Sequence, residues 1–176
     1  MTNIIKLPVI HLPEKDLIKP TLYVMVGAPA SGKSSYAKKL VKNYRTGRVN
    51  QDDIRNMLKG GKYEFTSKTE KIIKEINDKT IETILEEGFD CVADNTHCNP
   101  TTLNKLSEKF KDKAVIKIFV FEVPLWKLKV RNILRYIKTF GKTWIPVHII
   151  ENMHYKIDFV KVTLQSAGYN FETIKN

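Results

Sequence analysis

Gly27-Ala28-Pro29-Ala30-Ser31-Gly32-Lys33-Ser34 satisfies the pattern G-x-x-x-x-G-K-[ST] at every fixed position. Such a loop works by converging backbone N–H groups and a helix N-terminus on phosphates, so it needs a strand before it and a helix after it. Both are expected here. Thr21 to Val26 is a short apolar run rich in β-formers, and Ser34 to Lys42 holds strong helix formers without Gly or Pro. Gly27, Ala28, Pro29, Ala30, Ser31, Gly32, Lys33, Ser34 and Ser35 are therefore candidate nucleotide-binding residues. In this reading Lys33 reaches the β- and γ-phosphates and the Ser34 hydroxyl ligates Mg²⁺. The bland alternative is a glycine turn that holds no nucleotide.

The 176 residues suit one domain with a substantial core. Apolar content of 42% and charged content of 28% are ordinary for a soluble globular protein, and no apolar stretch reaches the ~18–20 residues of a membrane span. Met1 to Lys19 carries two prolines and interleaved charge where a signal peptide would have an apolar core, so a cytoplasmic chain without membrane contact is expected. Cys91 and Cys98 are too few for a disulfide framework and lack zinc-ligand spacing with the four histidines; they read as small buried residues. The net charge of +11 implies a field that gathers polyanions.

Outward from the loop, the pattern alternates strand and helix. Residues 1–20 read as an extension, with Leu7 to Ile10 able to pack on the body. Arg48 to Asn50 suits a second strand, Gly60-Gly61 a break, Thr66 to Glu87 a long helix with Ile72, Ile73, Ile76, Thr80, Ile84 and Leu85 close to one stripe and Gly88 as its stop, and Cys91 to Asp94 a third strand. Pro100 to Lys111 is helical, Ala114 to Val123 is the clearest strand, and Leu125 to Lys138 returns to helical spacing. A loop over Phe140 to Pro146, a helix over His148 to Lys161 and an edge strand over Tyr169 to Ile174 complete it. The expected fold is α/β with three layers: a mostly parallel sheet of four or five strands, flanking helices and a helical lid.

In an open parallel sheet the groups that choose the acceptor lie at the strand ends beside the phosphate loop. Two clusters qualify. In Asp52-Asp53-Ile54-Arg55 a carboxylate can take a hydroxyl proton and the arginine can fork an acceptor phosphate, unless an aspartate merely caps the helix starting near Ile54. In Asp94-Asn95-Thr96-His97-Cys98-Asn99-Pro100 the acid ends an apolar run, as the residue supporting Mg²⁺ does in phosphate-loop enzymes. Asn99 with Pro100 also reads as a helix cap.

Taken with Gly27–Ser34, the sequence Asn50-Gln51-Asp52-Asp53-Ile54-Arg55, then Asn95-Thr96 with Asn99-Pro100, then Arg131-Asn132 and Arg135, resembles the 5′-hydroxyl polynucleotide kinase domain of phage and RNA-repair enzymes. The resemblance runs from about Leu22 to Tyr155. It implies a P-loop kinase fold using ATP (or another nucleoside triphosphate) and Mg²⁺, and a nucleic acid with a 5′-hydroxyl end, DNA or RNA, as partner. It implies Lys33, Asp52 and Arg135 as catalytic residues, Asp52 being the general base. Arg131 and Arg135 would contact the donor, and Arg55, Asn95 and Thr96 the acceptor. Mg²⁺ would be held by Ser34, with Asp94 reached through water. Where the family often reads Asp-Thr, this chain has Asn95 before Thr96, with the acid moved back to Asp94. The Asp-x-Asp-Gly-Thr motif of a 3′-phosphatase domain does not occur.

Val123 to Ile150, spanning the expected lid at about 124–147, has no acidic residue but carries Lys127, Lys129, Arg131, Arg135, Lys138 and Lys142 among Trp126, Tyr136, Phe140 and Trp144. Cations with interleaved aromatics suit phosphates and bases. Trp126 is expected to face the core, whereas Tyr136, Phe140 and Trp144 suit stacking or packing equally. His97 is assigned no role. Rival readings are a P-loop kinase for a small molecule such as a nucleoside or sugar, and a non-catalytic nucleic-acid-binding module.

Overall fold

Five strands form one sheet in the computed structural model, which describes residues 19–42, 45–59, 66–141 and 143–176. The strands are β1 (Thr21–Val26), β2 (Thr46–Val49), β3 (Asp90–Ala93), β4 (Val115–Glu122) and β5 (Phe171–Lys175). Every pairing is parallel and the order is β2-β3-β1-β4-β5, so β1 sits at the centre with its loop at the middle of the carboxyl edge. The helices are α1 (Lys33–Leu40), α2 (Gln51–Lys59), α3 (Ser67–Glu86), α4 (Pro100–Phe110), α5 (Leu125–Lys138) and α6 (Val147–Ser166). This is the parallel α/β sheet that the alternation predicts, and the P-loop NTPase kinase fold that the resemblance implies. Leu7 to Ile10, Gly60-Gly61 and Lys142 lie outside the described residues.

Strand alternation divides the core. Leu22, Val24 and Val26 of β1 pack with Ile73 and Ile81 of α3, Leu103 and Phe110 of α4, and Val160 and Leu164 of α6. Met25 and its neighbours Phe119 and Phe121 face the other way, onto Ala37 and Tyr36 of α1. A third cluster, Ala28, Val123, Leu128 and Ile150, anchors α5 and the start of α6 beside the phosphate loop.

Element ends follow local chemistry. Asn99 caps α4 by accepting from the N–H groups of Thr101 and Thr102, with Pro100 inside the first turn, as expected. Gly88 stops α3 in the left-handed region (φ 73°), its N–H bonded to Leu85 O and that of Phe89 to Ile84 O.

Four expectations need correction. Neither Asp52 nor Asp53 caps α2, the alternative weighed above: the side-chain oxygen Oδ1 of Asn50 accepts from both their N–H groups, at 2.9 and 3.1 Å. The inward stripe of α3 is Ile73, Asn77, Ile81 and Leu85, whereas Thr80 and Ile72 face solvent. The last helix continues to Ser166 because Val160 and Leu164 still reach the sheet. Trp126 is 63% exposed, since α5 turns Leu128 and Asn132 inward and leaves Trp126, Val130, Ile133 and Ile137 on its outer side.

Candidate active site

The carboxyl ends of β1, β2 and β3 bring three loops together. Gly32 (φ 99°) and Ala30 (φ 65°) take left-handed backbone, which turns the chain from β1 directly into α1. A Cβ on Gly27 would lie 2.9 Å from Ser31 Oγ and 3.0 Å from Phe121 Cβ, so the loop's first position has room for little beyond glycine. The Gly27 N–H donates to Thr96 O at 2.9 Å, tying the phosphate loop to the loop after β3.

Lys33 is buried, and its Nζ donates to Gly27 O (2.7 Å), Ala28 O (2.8 Å) and Ser31 Oγ (3.3 Å). Burial lowers its pKa to about 8, against the pull of Cys98, Asp94 and Asp52 toward the charged form. Arg135 is exposed on α5 yet near enough to weigh on that charge. Arg131, one turn earlier, is half-buried and makes no hydrogen bond or ion pair with the loop among the described residues.

Asp94 is 1% exposed, so its charge needs partners. It has them: Ser34 Oγ lies 3.3 Å from Oδ1, and Arg48 holds Oδ2 with Nε at 2.8 Å and Nη2 at 2.7 Å. Arg48 also reaches Asp53 at 2.6 Å, and the Asn50 amide donates to Asp94 O. Burial alone would lower the pKa of Arg48; its bonds to Asp94 and Asp53 outweigh that and raise it.

On α2, Arg55 holds Asp52 Oδ1 through Nη1 (2.6 Å) and Glu70 through Nη2 (2.7 Å) and Nε (3.1 Å). Burial lowers the Arg55 pKa, and Glu70 and Asp52 together reverse this. Asp52 itself is open to solvent. Asn95 accepts the Gln51 N–H at 2.9 Å and donates to buried Asn77 at 3.2 Å, whereas the Thr96 hydroxyl makes no hydrogen bond among the described residues. His97, at φ 45°, sets Nδ1 2.8 Å from Met25 O, and burial lowers its pKa.

The structure thus gathers Lys33, Ser34 and Asp94 at one point and Asp52 with Arg55 at a second. Arg48, Glu70 and Asn77 escaped the sequence reading. Asn77 had a usable sign, a polar residue at a core position of an apolar helix stripe; Glu70 had none.

The sequence profile of the AAA domain matches residues 22–159. The chain belongs to this AAA-domain family. Two solved structures of the Pnkp1/Rnl/Hen1 RNA repair complex contain chains similar to this AAA domain. One shares 26% identity at a TM-score of 0.75 over 81% of this chain and 45% of that one. The other shares 28% at 0.60 over 64% and 38%. This AAA domain spans less than half the length of either. The resemblance to RNA-repair polynucleotide kinases read from the motifs is thereby borne out, as a resemblance of domains. The PezAT toxin–antitoxin system of Streptococcus pneumoniae shares the fold, at 12% identity and a TM-score of 0.67 over 90% of this chain and 69% of that one. No curated protein matches the sequence.

Proposed function

We propose that this P-loop kinase domain is a polynucleotide 5′-hydroxyl kinase, moving the γ-phosphate of ATP or another nucleoside triphosphate to the 5′ end of a nucleic acid. The observation that carries the reading is the pairing of Asp52 with Arg55, itself braced by Glu70, one loop away from Lys33, Ser34 and Asp94. Similarity to the chains of an RNA repair complex favours RNA as the acceptor.

The donor set fits Mg²⁺. A hydroxyl and a carboxylate lie together at Ser34 and Asp94, and no cluster of three or more His, Cys, Asp or Glu able to hold a metal occurs among the described residues. Two oxygens suit an ion that takes its other ligands from phosphates and water. The ion would neutralise charge on the transferred group. A cavity of about 600 Å³ beside Ala28, bounded by Pro124, Leu128, His154 and Asn176, offers space for the donor nucleoside.

Asp52 takes the proton of the 5′-hydroxyl as its oxygen bonds to the γ-phosphorus and the bond to the β-phosphate oxygen breaks, leaving the nucleoside diphosphate. Arg55 grips the phosphate on the 3′ side of the acceptor nucleotide, Thr96 offers its hydroxyl, and Asn95 positions the start of α2. Lys33 and Arg135 carry positive charge toward the transferred phosphoryl. To test this, γ-labelled ATP is offered with 5′-hydroxyl RNA, 5′-hydroxyl DNA and free nucleosides. Label is expected on oligonucleotide ends; label on nucleosides alone would make the protein a small-molecule kinase, and oligonucleotide binding without label transfer a non-catalytic module.

A further inference from the structure

A second cleft, about 450 Å³, opens behind the loop that follows β3, between α3, α4 and α6. That volume lies within the usual range of ligand sites, about 300–1,000 Å³. Neutral polar groups (Asn77, Asn95, Thr96, His97) line it together with Cys98, Leu106 and Met153, and its one carboxylate, Asp78, is engaged by Lys109. Its rim is cationic. Lys74 of α3, Lys105 of α4 and Lys156 of α6 are exposed there and have no carboxylate partner among the described residues; a fourth, Lys109, is paired with Asp78 at 3.1 Å. Three helices each bring an unpaired cation to one opening, a repulsive arrangement that an anionic ligand would relieve.

The cleft also touches the proposed reaction centre. Gln51, next to Asp52, lines it, and Thr96 belongs to both places, since its carbonyl receives the Gly27 N–H. A strand with its 5′-hydroxyl at Asp52 has its next nucleotides available to this opening.

We infer that the cleft bounded by Lys74, Lys105 and Lys156 binds the 3′ continuation of a single-stranded acceptor, its lysines contacting phosphodiesters one or two nucleotides inside the end. The inference rests on the kinase reading and narrows it: the preferred acceptor is an oligonucleotide strand, and a nucleoside 3′-monophosphate is a poor substitute.

The test pairs two acceptors, a 5′-hydroxyl hexanucleotide and a nucleoside 3′-monophosphate, with wild-type protein and Lys105→Ala/Lys156→Ala. Both lysines are exposed, so folding is not at stake. In the variant, KM for the hexanucleotide should rise about tenfold and the slope of log affinity against log salt should fall by about 1.4, the sum for two contacts to a single strand. KM for ATP and for the monophosphate should not move. Equal changes for both acceptors, or none, would overturn the cleft's role. Anisotropy of a 3′-labelled 5′-hydroxyl hexanucleotide reads the same contacts without phosphoryl transfer. Absence of label on any acceptor would therefore sink the kinase reading alone, and unaltered binding in the variant would sink the cleft alone.

Discussion

The strand-end edge and the outer side of α5 handle charge in opposite ways. At the edge the polar groups are engaged with the protein itself: Lys33 on loop carbonyls, Asp94 on Arg48 and Ser34, Asp52 on Arg55, Asn95 on Gln51 and Asn77. On α5, Arg135 and Lys138 are exposed, as are Trp126 and Ile137, and Phe140 just past its end is 93% exposed. One region is organised before any substrate arrives. The other has its contacts still to make. Positioned charge lowers a barrier because little reorganisation remains at the moment of reaction, whereas exposed cations and rings suit capture of a polyanion.

The largest break in this contrast should come from Asp52→Asn. Turnover is expected to fall about 10²- to 10⁴-fold with nucleotide affinity nearly unchanged; equal loss of both would deny the general-base role. Arg48→Ala should act through Asp94, which the guanidinium holds. Removing the group that aims Asp94 should raise the Mg²⁺ concentration for half-maximal activity about 10- to 100-fold, with partial rescue by Lys, while KM for ATP at saturating Mg²⁺ stays put.

Lys33 supplies a pH test. With its pKa near 8, it is mostly neutral at pH 9 and mostly charged at pH 7, and phosphates favour the charged form. Nucleotide affinity should tighten about tenfold from pH 9 to pH 7. Calorimetry near pH 8 should show proton uptake on binding; a flat profile would mean the ammonium stays charged throughout. Smallest in stability is Phe140→Ser, expected to shift unfolding by no more than about 0.5 kcal/mol because the ring touches little. Oligonucleotide binding should nonetheless weaken by about 1–3 kcal/mol if a base stacks there.

The same contrast explains what could be read in advance. The phosphate loop and the parallel alternation of strand and helix around it were legible because backbone geometry demands particular residues at fixed spacing, such as glycine at φ 99° in Gly32 and apolar runs for strands covered on both faces, whereas the order of the strands was not. Arg48 and Glu70 were not, since their partners lie 46 and 15 residues away and only the fold brings them together. Trp126 misled because an amphipathic helix shows which residues share a side but not which side is inward; Leu128 packing on Val123 and Ile150 decides that.

The Gly27 N–H to Thr96 O bond has one more consequence. It joins the phosphate loop to the turn after β3, across adjacent parallel strands, and so, in the proposed reaction, acts as a gauge block between the donor and acceptor jaws. Neither turn can widen the gap without breaking that bond. Acceptors would then be sorted by reach: one whose hydroxyl stops short of the gap reacts slowly however tightly the basic surfaces hold it.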